Sequence, residues 1–146
     1  MPFFDSTEQL YNVFIGFMND MAADSELGSK FVKSKTAFRI NYTDPDTSIL
    51  IDCTHDPIRI TAGPSDTKPD VELTMKADNG HLFWMGRLKI TTAITKRKVK
   101  VSGQVTKMMN LLPALDPAFA RYRVYLAEKG YHHLLVSDES GTRSTQ

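Results

Sequence analysis

Apolar residues recur every three or four positions near the start of the chain. Leu10, Val13, Phe14, Phe17, Met18 and Met21 share one stripe, which predicts an amphipathic helix over 6–21. Ser6 followed by Gln9 is a capping-box pattern, and Asp5 and Glu8 suit the positive end of a helix dipole. A shorter helix is expected from Asp24 or Ser25, with Leu27 and Phe31 one turn apart. The period then falls to two. Phe38, Ile40 and Tyr42 alternate in 36–42; Ile49, Ile51 and Cys53 in 48–54; Ile58 and Ile60 in 57–62; Val71, Leu73 and Met75 in 70–76. Asp44-Pro45-Asp46 and His55-Asp56-Pro57 supply turn chemistry between the first three of these strands. Short connections imply antiparallel neighbours, and one apolar face per strand implies a sheet packed on one side. The polar, proline-rich stretch 63–69 reads as a loop crossing to the fourth strand.

Bulky residues return in Asn79 to Met85, a short helical run stopped by Gly86. A small-residue stretch around Ala93 leads into a basic-apolar strand over 98–103. Val105, Met108, Met109, Leu112 and Leu115 mark a further helix, with Pro113 as its kink or terminator. Asp116 is placed to cap a last helix with Pro117 at its first position. That helix carries Phe119, Tyr122, Val124, Tyr125 and Leu126 and ends at Gly130. Residues 131–136 are expected to dock as a final short element and 137–146 to form a disordered polar tail. The pattern therefore predicts one domain over 1–136, of α+β class.

At 146 residues, 41% of them apolar, the chain can bury a substantial core. No apolar run approaches the roughly 18 residues of a membrane span. The N-terminus lacks a basic start, and Asp5 and Glu8 interrupt any signal core. The single cysteine, Cys53, cannot form an internal disulfide, so a cytoplasmic location is the default expectation.

The sequence offers little for catalysis. It has no Gly-x-Ser-x-Gly elbow and no phosphate-cradling glycine loop. His132 and His133 are adjacent and point different ways, so no metal site is expected. Asp52 and Asp56 read as turn-capping residues and Cys53 as a buried thiol. A lipid-acting enzyme would need a pocket-facing polar pair such as His81 with Asp78.

Charge placement matters more than its sum of +1. From Asn79 to Leu115 there is no acidic residue, and Arg87, Lys89, Lys96, Arg97, Lys98, Lys100 and Lys107 make that segment +7, against −6 elsewhere. Two readings fit: a solvated strand edge whose lysines discourage edge pairing, or a surface drawn to an anionic ligand or membrane. Nucleic acid is not expected as a partner, because Trp84, flanked by Phe83 and Met85, reads as core or pocket wall.

The order of elements, with Asp70-Val71-Glu72-Leu73-Thr74-Met75, Gly86-Arg87-Leu88, Ala93 and Lys98-Val99-Lys100-Val101-Ser102-Gly103, resembles the sterol carrier protein 2 (SCP2) family over roughly Leu10 to Leu115. Glu72 stands where family members commonly have threonine, Arg97 where they have glycine and Gln104 where they have aspartate. The resemblance implies a five-stranded, mostly antiparallel sheet covered on one face by helices, with an apolar tunnel between the layers. It implies binding or transfer of a sterol, fatty acid, fatty acyl-CoA or phospholipid, without catalysis or cofactor. The expected ligand-binding wall is Phe83, Trp84, Ile94, Val99, Val101, Met108, Met109 and Leu112, with Lys96, Arg97 and Lys98 at the opening, placed for transient anionic membrane contact. The rival reading is an interaction or homodimerisation module using Phe119, Tyr122 and Tyr125, possible also as an accessory subunit of a lipid-acting enzyme.

Overall fold

The computed structural model describes residues 3–135; the expected tail, 137–146, lies outside them, as do residues 1, 2 and 136. Two helices open the chain: α1, Thr7–Ala23, and α2, Ser25–Ser34. The Ser6 hydroxyl accepts the Gln9 amide at 3.1 Å and the Asp24 carboxylate accepts the Leu27 amide at 2.8 Å, so each helix start is capped as its sequence implies. All six apolar stripe residues of α1 are buried.

Strands β1 (Ala37–Thr43), β2 (Thr47–Asp52), β3 (Arg59–Ala62), β4 (Val71–Lys76) and β5 (Val99–Gly103) form one sheet in the order β3-β2-β1-β4-β5. Only the central β1–β4 pair is parallel. Register aligns the apolar positions in rows across the sheet. Ile60 faces Ile51, Ile51 faces Phe38, and Phe38 faces Val71; the next row runs Ile49, Ile40, Leu73, Val101. Because side chains alternate between faces, each row presents one continuous oily surface to the helices.

The parallel pairing requires the chain to cross from edge strand β3 to β4. The crossing loop passes over the face opposite the helices, where the Arg39 guanidinium donates to the carbonyls of Ser65 and Thr67 at 2.8 and 2.7 Å. Asp70 fastens the start of β4 to β1, its carboxylate accepting the Ala37 amide at 2.9 Å. Across the sheet, Gly103 closes β5 against the same corner. Its φ is +91°, and a Cβ there would lie 2.2 Å from the Asp70 carbonyl oxygen. We therefore expect Gly103→Ala to lower stability by about 2 kcal/mol or more, read as a fall in the thermal midpoint of roughly 5 °C.

Helix α3, Ala77–Trp84, follows β4 without a break. Next comes a helix that the sequence pattern did not predict, α4, Ile90–Thr95. Its run of β-branched residues argues against a helix, but Ile90 and Ala93 are buried and α4 packs against β5. Tertiary burial overrides local preference here. Helix α5 (Val105–Leu111) passes into a 3-10 turn, Leu112–Leu115, that contains Pro113, and then into α6, Asp116–Glu128. Asp116 lies inside the first turn of α6 and makes no side-chain cap, because the preceding 3-10 turn already leads into the helix. A last helical turn over 132–135 buries Leu134 completely.

Candidate functional site: an apolar cavity between helices and sheet

A cavity of about 110 Å³ lies between the sheet's oily rows and the helices. Its floor is Phe38, Ile40 and Tyr42 of β1, with Ile51, Ile60, Leu73 and Met75 from neighbouring strands. Met18 and Met21 of α1, Phe31 of α2, Phe83 and Trp84 of α3, and Met108, Leu111 and Leu112 roof it. No charged side chain lines it, and polar side-chain atoms come only from Tyr42, Cys53 and Trp84 among the described residues. Four of the wall residues are methionines, unbranched side chains that repack easily.

Of the expected wall, Phe83, Trp84, Met108 and Leu112 meet in this cavity; Ile94, Val99, Val101 and Met109 do not. The unpredicted α4 explains three of these. It packs against β5, where Val99 is sealed at 1% exposure and Ile94, Val99 and Val101 lie along a shallow groove on the outer edge. Met109 is 38% exposed, because the phase of α5 turns Met108, Leu111 and Leu112 inward instead. The contributions of α2, β1, β2 and β3 carry no pocket signal in the sequence, and the aromatic and methionine stripe of α1, which fits a cavity lining, fits a plain core face more readily. Their residues have the spacing of ordinary core, and only packing reveals that the layers stop short of contact.

Burial neutralises the cavity's own titratable groups. It holds the Tyr42 hydroxyl well above the usual phenol range. It also pushes the Cys53 thiol up to about 12, with the Asp52 charge adding to the shift. A thiol so shifted carries no thiolate near neutral pH and is a poor nucleophile. Asp52 itself accepts the Thr54 amide at 3.0 Å, as a turn-capping residue should.

The one strongly buried histidine is structural. His81 Nδ1 lies 2.8 Å from the Tyr122 hydroxyl, and Nε2 lies 3.4 Å from the Leu134 carbonyl. The carbonyl can only accept, so the proton sits on Nε2 and Nδ1 accepts from Tyr122. Asp78, the partner that catalysis would require, instead accepts the Phe3 amide at 2.8 Å. His81 thus ties α3 to α6 and to the last turn. Of the aromatics weighed for a dimer contact, Tyr122 and Tyr125 are buried, and Phe119 is partly buried and packs edge-on against Phe83.

Lys96, Arg97 and Lys98 do not border the cavity; they stand where α4 turns into β5, Arg97 and Lys98 beside a separate groove. Among the described residues no group of three His, Cys, Asp or Glu is placed to hold a metal ion, and no helix is long and apolar enough to cross a membrane.

A mixed five-stranded sheet with a helical layer over an apolar cavity makes this an α+β domain with room for an apolar guest. The chain belongs to the SCP-2 sterol transfer family, whose profile matches residues 18–116. Its fold is similar to the solution structure of the sterol carrier protein domain 2 of Helicoverpa armigera, with 20% identity, TM-score 0.62, and 75% of this chain and 89% of that one covered. It is similar also to UbiJ-SCP2, a ubiquinone synthesis protein (15% identity, TM-score 0.58, 81% and 95% covered). A third likeness is to palmitated SCP2L2 of Aedes aegypti (17% identity, TM-score 0.56, 73% and 93% covered). At these identities the likenesses establish the fold. No curated protein matches the chain. As a member of this family the chain is an SCP2 domain, and lipid binding or transfer is its general function.

Proposed function

We propose that the chain is a non-catalytic cytoplasmic carrier whose cavity takes the hydrocarbon part of a fatty acid, fatty acyl-CoA, phospholipid or sterol. The observation that carries this reading is the unfilled apolar space itself. Natural cores close to crystal-like density, and an apolar cavity of about 150 Å³ is enough to take up benzene. At about 110 Å³ the resting space holds a short stretch of hydrocarbon. A full-length guest enters by displacing the methionine side chains and the half-buried Phe31, Phe83, Leu111 and Leu112. A flexible alkyl chain does this more readily than a rigid ring system, and the palmitated Aedes aegypti neighbour is in keeping with that preference.

Trp84 is the chain's one tryptophan and lines the cavity, so its emission reports on the guest directly. Titration with palmitate is expected to change Trp84 fluorescence saturably, with a micromolar midpoint. A guest losing about 400 Å² of apolar surface gains on the order of 10 kcal/mol, of which ordering costs leave about 8. An unchanged Trp84 signal with fatty acid, fatty acyl-CoA, phospholipid and sterol would refute the reading. The UbiJ neighbour favours a second use of the same cavity, in which the domain presents its lipid to an enzyme as an accessory subunit. Lipid transfer between vesicles by the chain alone would speak against that second use.

A further inference from the structure

Lys76, Arg97, Lys98 and Lys100 are all exposed and line one shallow groove, together with Thr43, Thr74 and Asn79, at the end of β4 and the β5 edge. No carboxylate borders this groove, and none of the four cations forms an ion pair among the described residues. The carboxylate on the flanking strand, Glu72, lines a neighbouring groove that Arg97 and Lys100 also border, and it is engaged there by Asn41, whose amide donates to it at 2.7 Å. Four exposed cations along one groove raise a local positive potential that attracts an anionic partner.

Arg97 adds a second observation. It sits at the end of α4 with φ +61°, a left-handed conformation that favours glycine and is costly for a long side chain. The backbone needs that conformation to end the helix: the Arg97 amide donates to Ile94 and the Lys98 amide to Ala93, at 3.0 and 2.8 Å. Glycine would serve the turn better, yet a guanidinium stands there, bordering this groove and its neighbour.

We propose that this groove is a docking surface for the phosphate headgroups of an anionic membrane, separate from the cavity. Its lining offers hydroxyl and amide donors with the cations, which suits phosphate oxygens. It exposes no aromatic side chain for a base to stack on, and it lacks the apolar centre that a protein interface requires. Docking by this groove turns the β5 edge towards the lipid. Met75, which borders both groove and cavity, then marks the cavity wall nearest the bilayer.

The test compares two triple variants that each remove three positive charges and each relieve one left-handed cation. The first is Arg97→Gly, Lys98→Gln, Lys100→Gln. The second is Lys30→Gln, Lys33→Gln, Lys35→Gly, on α2 and at its C-cap, where Lys35 has φ +50°. Co-sedimentation with vesicles of phosphatidylcholine alone or mixed with phosphatidylserine gives the affinities. Each cation near an anionic surface is worth roughly fivefold in affinity. The groove triple should therefore bind the mixed vesicles roughly 100-fold more weakly than the parent, and the α2 triple less than about threefold more weakly. Arg97→Gly alone should raise the thermal midpoint by roughly 3 °C while weakening vesicle binding. Equal losses in the two triples, parental binding that ignores phosphatidylserine, or tighter binding to polyglutamate or duplex DNA than to the vesicles would overturn the proposal. Vesicle binding in this assay needs no occupied cavity, so it stands or falls separately from the carrier reading.

Discussion

His81→Ala is expected to destabilise the protein by about 4 kcal/mol. Removing the ring strands two buried groups at once, the Tyr122 hydroxyl and the Leu134 carbonyl. Each unpaired buried group costs about 1–3 kcal/mol, and the vacated space adds a cavity penalty. Phe3 and Phe4, whose rings lie 4.6 and 6.0 Å from the imidazole, lose their contact as well. Urea denaturation should show a lower midpoint, with α6 and the final turn losing amide protection first.

The same residue sets an acid sensitivity. Burial lowers the His81 pKa from 6.5 to about 4; the Leu134 carbonyl opposes this shift and the His133 charge adds to it. A histidine depressed on folding resists protonation, so its contribution is complete above pH 6.5 and fades as pH falls from 6.5 towards 4. Over that window about 3 kcal/mol should be lost. His81→Gln keeps a donor and an acceptor but cannot titrate. Its stability should therefore stay level between pH 7 and 4.5 while the parent's declines. Parallel pH profiles would contradict the assignment.

The second large effect concerns the cavity. Ile51→Trp or Leu112→Trp places a ring into space that a guest would otherwise fill. Excluding about four methylene groups at about 0.8 kcal/mol each removes roughly 3 kcal/mol of binding, or on the order of a hundredfold in affinity. Both side chains are half-buried at the cavity wall, so the larger ring can be accommodated with modest repacking. The expected result is a folded protein with a near-parental thermal midpoint and palmitate affinity reduced about a hundredfold. Retained affinity would place the guest elsewhere.

Most of the architecture is written in the hydrophobic periodicity. The stripe from Leu10 to Met21, the alternation in β1, β2 and β4, and the capping residues Ser6 and Asp24 each name their element. Local pattern fails where burial is decided by distant partners. The run Ile90 to Thr95 is helical because Ile90 and Ala93 gain burial as α4 packs on β5, and Ile94, Val99 and Val101 lie outside the cavity. His81 illustrates the same limit. Sequence spacing offers Asp78 as its partner in a polar pair, whereas its partners in the fold lie 41 and 53 residues away. The cavity is the least legible feature, since a residue that lines a void and one that fills it have the same sequence signature. Phe38, Ile40 and Ile51 read as core, and only the gap above them makes them a floor.

A carrier of this design holds a hydrocarbon guest in the space between the sheet and its helices. Native mass spectrometry of the freshly isolated chain, followed by solvent extraction and lipid analysis, tests this most directly. The expected spectrum contains a population heavier than the bare polypeptide by the mass of one lipid, with that lipid recovered on extraction and the population depleted in Ile51→Trp. A bare chain that also gains no mass after incubation with palmitate, fatty acyl-CoA, phospholipid or sterol would contradict it.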